Sequence, residues 1–134
     1  MQINFGKRPR SGYGVLPEQS DIAFTIMTAS ASTGGTGTSI LYLACRVEGG
    51  ASIGRFITIR FGTDGSNNQW IDGELRKLEE LCNALGSAEI IGDTAGYEGK
   101  QFIGDIVVMK NKDGSKDNGI GNYKPMPQQQ TQGY

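Results

Sequence analysis

The sequence predicts a mainly β domain, a small five-stranded barrel with one helix between the third and fourth strands. Three observations predict it. Short stretches carry apolar residues at every second position, one segment beginning at Ile71 changes to steps of three and four, and glycine-containing turns separate them. Period two is the spacing of a strand, and steps of three and four make the stripe of a helix. At 134 residues the chain has the length of one domain with a real core.

Residues 1–20 combine Gly, Pro and basic side chains with little periodicity and are expected as a basic arm or irregular first segment. Asp21 to Thr28 alternates Ile22, Phe24 and Ile26 with Ala23, Thr25 and Met27, which makes the first strand. Ser30 to Ser39 holds Gly34, Gly35 and Gly37 among small hydroxyl residues and is expected as a mobile hairpin loop. Ile40 to Val47 and Arg55 to Phe61 are the second and third strands, antiparallel across Gly49, Gly50 and Gly54. Ile71, Leu75, Leu78, Leu81, Cys82 and Leu85 mark the helix, with Asn68 or Asp72 as its first cap and Gly86 as its left-handed end. Trp70, at the helix entrance, is expected to staple the helix to the sheet. Lys100 to Lys110 is the fourth strand, Asn111 to Asn118 a polar turn, and Gly119 to Lys124 the fifth strand. Residues 125–134 are too polar to pack and are expected as a disordered Gln-rich tail. Three strands, a helix and two strands is the order of an OB-fold, which assigns residues 21–124 to that barrel.

Composition removes most enzymes. The chain has no histidine and no CxxC, which excludes the common zinc sites and every histidine-based acid, base or triad. Cys45 and Cys82 stand among apolar neighbours and are expected as free buried thiols. Gly99-Lys100 lacks the first glycine of a phosphate loop, with Thr94 in its place and Gln101 after the lysine. Asp93 with Glu98 and Lys100 is too local for a two-strand nuclease centre. We therefore expect no enzyme, no metal and no cofactor. The longest apolar run, Ile40 to Val47, cannot span a bilayer, and Lys7, Arg8 and Arg10 precede no apolar stretch of a secretory signal, so a cytoplasmic location is expected.

The formal charge of -1 conceals a separation. Residues 70–98 carry seven acids against two bases, leaving seven acids and eleven bases elsewhere. An acidic helix opposite a basic remainder suits one face to phosphates. Alternation puts Tyr42 and Arg46 on the polar face of the second strand, and Phe56 and Arg60 on that of the third. Rings stack on unpaired bases while guanidiniums meet the backbone, so these four are the expected site for single-stranded DNA. The competing assignment has Tyr42 and Phe56 completing a small second core. Lys7, Arg8 and Arg10 of the arm, with Tyr13, extend the basic track, and Lys110, Lys112 and Lys116 on the last hairpin are expected to close over the strand.

From about Val15 to Pro125 the chain also resembles a family of small phage single-stranded-DNA-binding proteins. The resemblance rests on Leu16-Pro17, Gly54-Arg55-Phe56, Leu81-Cys82-Asn83-Ala84-Leu85-Gly86, Tyr97-Glu98-Gly99-Lys100 and Asn122-Tyr123-Lys124-Pro125. It implies an OB-fold and sequence-tolerant binding of single strands during phage replication or recombination, in the cytoplasm of the infected host. Phage replication or recombination proteins are the implied partners, and a homo-oligomer is compatible with the sequence. The acidic tip common to bacterial single-strand binders is absent from Gln128 to Tyr134. The competing function is a phage structural or adaptor module that uses the same barrel to bind protein.

Overall fold

Alternation becomes pleat in each segment that carries it. The computed structural model describes residues 15–33, 37–65 and 68–127. Its strands are β1 (Gln19–Thr33), β2 (Ser39–Val47), β3 (Phe56–Asp64), β4 (Gln101–Lys110) and β5 (Lys116–Lys124). They form one antiparallel sheet in the order β3-β2-β1-β4-β5, and the helix α1 (Asn68–Ala84) lies between β3 and β4 in the chain.

One face of every strand supplies the core. Phe24, Ile26, Leu43, Cys45, Val47 and Phe102 are fully buried, and Leu78, Leu81 and Cys82 of α1 cover them. Phe24 stacks on Phe102 at 5.2 Å, Phe102 meets Tyr123 edge-on at 5.6 Å, and Tyr123 lies 6.4 Å from Phe61. This chain of rings brings the outermost strands, β3 and β5, together across the interior, although no ladder joins them among the described residues. Both cysteines are buried and free, as expected, and burial pushes the Cys45 thiol up to about 12, so it stays protonated and unreactive.

The sheet is longer than its periodicity indicates. Ser30 to Thr33, expected in a loop, continue β1 and pair with Tyr42 to Ser39. Small Ala, Ser and Thr residues accept extended geometry once β2 supplies the ladder. β5 likewise begins at Lys116, opposite Lys110. At the start of the chain, Leu16 is buried and its backbone is clasped by Asn118, which accepts from its N–H at 2.6 Å and donates to its carbonyl at 2.9 Å. Packing therefore reaches back to residue 16, inside the expected arm. Lys7, Arg8, Arg10 and Tyr13, and the tail from residue 128, lie outside the described residues.

Register breaks on both sides of β4 shape that half of the sheet. Asp21 and Asn122 both take positive φ, 58° and 53°, at register breaks in the β1–β4 and β4–β5 ladders. Asp105 of β4 lies between them. It accepts from the Asp21 N–H at 2.9 Å and from Asn122 Nδ2 at 2.7 Å, compensating two backbone conformations that L-residues seldom adopt.

The helix ends as expected. Gly86 has φ 93°, its N–H reaches the Asn83 carbonyl at 3.0 Å, and the Ser87 N–H reaches the Cys82 carbonyl at 2.9 Å, the two bonds of a Schellman cap. Trp70 staples the other end, its ring lying where a side chain on Gly62 of β3 would point. The Gly62 N–H also donates to Glu74 at 3.0 Å. Gly62→Ala forces the ring away and is expected to cost about 1–3 kcal/mol in urea denaturation. A cost near zero would show that Trp70 does not hold the helix there.

Tyr97 and the residues near it have structural work. The buried Tyr97 hydroxyl donates to the Ile91 carbonyl at 2.6 Å and lies 3.6 Å from Cys82 Sγ, tying the segment after α1 to the helix. Asp93 accepts from the Ala95 N–H at 3.2 Å and Glu98 from the Ala29 N–H at 3.3 Å.

Candidate functional site

The face of β2 and β3 that turns away from the core carries the expected site residues. Leu41, Leu43, Cys45 and Val47 point inward from β2, which turns Tyr42, Ala44 and Arg46 outward. Ile57, Ile59 and Phe61 do the same on β3 and leave Phe56, Thr58 and Arg60 exposed. The register sets Tyr42 opposite Arg60, Ala44 opposite Thr58 and Arg46 opposite Phe56. Each ring therefore faces a guanidinium across the strand pair, within the reach of side chains directly opposite. The two ring–cation pairs are four residues apart, about 13 Å at roughly 3.3 Å per residue, with the short Ala44 and Thr58 between them. Phe56 is 56% exposed, which removes it from any second core. Tyr42 is half-buried.

β1 widens this face. An extra residue, Met27, interrupts the β1–β2 register between Ile26 and Thr28. The bulge sets Thr28 beside Ala44 and Ser30 beside Tyr42, while Thr25 stands beside Arg46. Hydroxyl groups thus border the aromatic and arginine pairs.

The two arginines differ in their surroundings. Among the described residues Arg60 has no ion pair, whereas Arg46 directs Nε and Nη2 to Glu48 Oε2 at 3.1 and 2.9 Å. The same oxygen accepts from the Thr25 hydroxyl, which itself accepts from Gln101 Nε2 at 2.9 Å. Arg46 and then Thr25 hold the Glu48 carboxyl below its usual range. Glu48 is not among the expected site residues, although an acid two residues from an arginine along a strand shares its face.

The lysines occupy the β4–β5 hairpin. Lys110 and Lys116 are directly opposite and exposed, with Lys112 in the turn between them. Like charges in that position repel unless an anion lies between them. The turn itself is held rigidly. Asn111 accepts from the Gly114 N–H and donates to the Ser115 carbonyl and to Asp117, while Gly114 has φ 89°. Gln19 of β1 binds the Ala51 N–H of the β2–β3 turn and Glu18 binds the Val108 N–H of β4. The hairpin and the Arg46–Phe56 pair therefore lie toward the same end of the sheet.

Two buttressing carboxylates confer a pH dependence. Asp105 is lowered by Asn122 and then by the Asp21 N–H, as Glu48 is by Arg46 and Thr25. Folded-state values below the unfolded ones give stabilisation that is complete above the ordinary carboxylate range and is lost as pH falls through the lowered values. Thermal melts are expected to hold from pH 7 to about pH 5 and to fall steadily below about pH 4. An Asp105→Asn protein should lose less over that acid interval, and an equal loss would remove Asp105 from the account.

No protein-family model matches the sequence, and no curated protein matches it.

Proposed function

We propose that the outer face of β2 and β3 binds single-stranded DNA with little regard to sequence. The observation that carries this reading is the pairing of an outward-facing ring with a guanidinium twice on one face, the exposed Phe56 with Arg46 and the half-buried Tyr42 with Arg60. Unpaired bases offer π-faces worth about 1–3 kcal/mol each to a stacking ring, and the backbone offers one charge per nucleotide to the cations beside them. Duplex DNA hides the first handle, so the face favours single strands.

The order β3-β2-β1-β4-β5, the contact of Phe61 with Tyr123 and the helix after β3 support assignment to the OB-fold, whose second and third strands form the usual oligonucleotide face. The resemblance to small phage single-strand binders supports a role in coating exposed strands during phage replication or recombination, in an infected bacterial cell.

A gel shift tests the reading with one oligonucleotide of a few tens of nucleotides, offered single-stranded and as a duplex. The single strand is expected to shift at low salt without metal or nucleotide, and the duplex more weakly. If Arg60, Lys110, Lys112 and Lys116 each meet one phosphate, log affinity falls with log salt at a slope of about -3. Equal affinity for both forms counts against the proposal, and no shift at low salt favours a phage structural or adaptor role.

A further inference from the structure

Glu48 stands within the proposed face and alters what Arg46 can do there. It follows β2 directly, and its N–H donates to the Ala23 carbonyl of β1 at 2.8 Å, so the backbone holds it in line with Arg46. Its Oε2 gathers Arg46 Nε, Arg46 Nη2 and the Thr25 hydroxyl, and Gln101 secures Thr25 from β4. The only other charged group these contacts bring to Glu48 is Arg46 itself. A carboxylate held by three donors from two strands is not a loose surface partner. A phosphate approaching Arg46 meets that carboxylate and must displace it. Arg60, exposed beside Tyr42, presents no such barrier.

We propose that Glu48 sets the selectivity of this face by withholding Arg46 from phosphates, so that a base stacked on Phe56 meets a charge-compensated hydrogen-bonding pair instead of a free cation. The ligand at the Arg46–Phe56 pair is then a nucleobase, and the backbone is held at Arg60. The inference rests on the face being a single-strand site.

Anisotropy titrations over a salt series, with a labelled single strand of a few tens of nucleotides, test it on the wild type and on Arg46→Gln, Arg60→Gln and Glu48→Gln. Arg60→Gln is expected to reduce the slope of log affinity against log salt by about 0.7, the contribution of one phosphate contact on a single strand. Arg46→Gln leaves the slope unchanged. Glu48→Gln keeps an acceptor for Thr25 and Arg46 but releases the charge, so affinity at low salt rises and the slope steepens by about 0.7. Thermal melts of the same four proteins identify any variant that has lost its fold, and Glu48→Ala then provides the same release of charge. The inference is overturned if Arg46→Gln loses the same slope as Arg60→Gln, or if removing the Glu48 charge weakens binding. A wild type that binds no single strand at low salt overturns the proposed function and this inference together, whereas the two variant results overturn the inference alone.

Discussion

Phe102→Ala is expected to lower the stability of the protein by roughly 3–5 kcal/mol, the range for removing a buried aromatic ring from a core. Phe102 is fully buried and touches two other rings, Phe24 of β1 and Tyr123 of β5. Tyr123 continues to Phe61 of β3, so one side chain links strands from both ends of the sheet. Alanine leaves a cavity in the middle of that chain and removes the ring against which Tyr123 packs edge-on, so Tyr123 loses its support where it meets Phe61. Neighbouring backbone has little room to collapse into the space, because the ladders on both sides of β4 hold it in place. For a domain of this size the loss corresponds to a melting temperature lower by about 10–20 °C. Urea denaturation with an unchanged m-value would report the stability loss directly. A loss below about 1 kcal/mol would mean that the rings do not carry the association of β3 with β5.

Much of this architecture was legible because it follows from period. Alternation at Ile22 to Ile26, Leu41 to Val47 and Ile57 to Phe61 located strands and faces together, and it is the same property that turned Tyr42, Arg46, Phe56 and Arg60 outward. Gly86 and Trp70 were legible as local signals of a helix end and a helix entrance. What escaped was set by partners distant in sequence. Ser30 to Thr33 have loop composition, and only pairing with β2 extends them. The work of Asp105 depends on bulges in two other strands, and that of Asn118 depends on a segment 102 residues away. Glu48 belongs to a different class, since its place beside Arg46 follows from strand spacing alone. Cations and rings signal a nucleic-acid face directly, whereas an acid on the same face signals nothing until its partner is known.

Those two rings bear the second large effect. In a Tyr42→Ala/Phe56→Ala protein, affinity for single-stranded DNA is expected to fall by about 2–6 kcal/mol, the sum of two stacking contributions of 1–3 kcal/mol each. At about 1.4 kcal/mol per tenfold, that is roughly 30-fold to 20,000-fold. The pairs that contain the rings are separated by the Ala44–Thr58 row and share no partner, so the single changes are expected to add. Stability should move far less than for Phe102→Ala, because Phe56 is exposed and Tyr42 half-buried. The salt slope supplies the decisive contrast. Neither ring carries charge, so the affinity should drop at every salt concentration while the slope is retained, the reverse of what removing Arg60 does. A double variant that binds as tightly as the wild type would leave the two rings without a role in binding. One that loses slope together with affinity would show that the rings act by positioning the phosphate-binding cation, Arg60 opposite Tyr42, and not by stacking on bases.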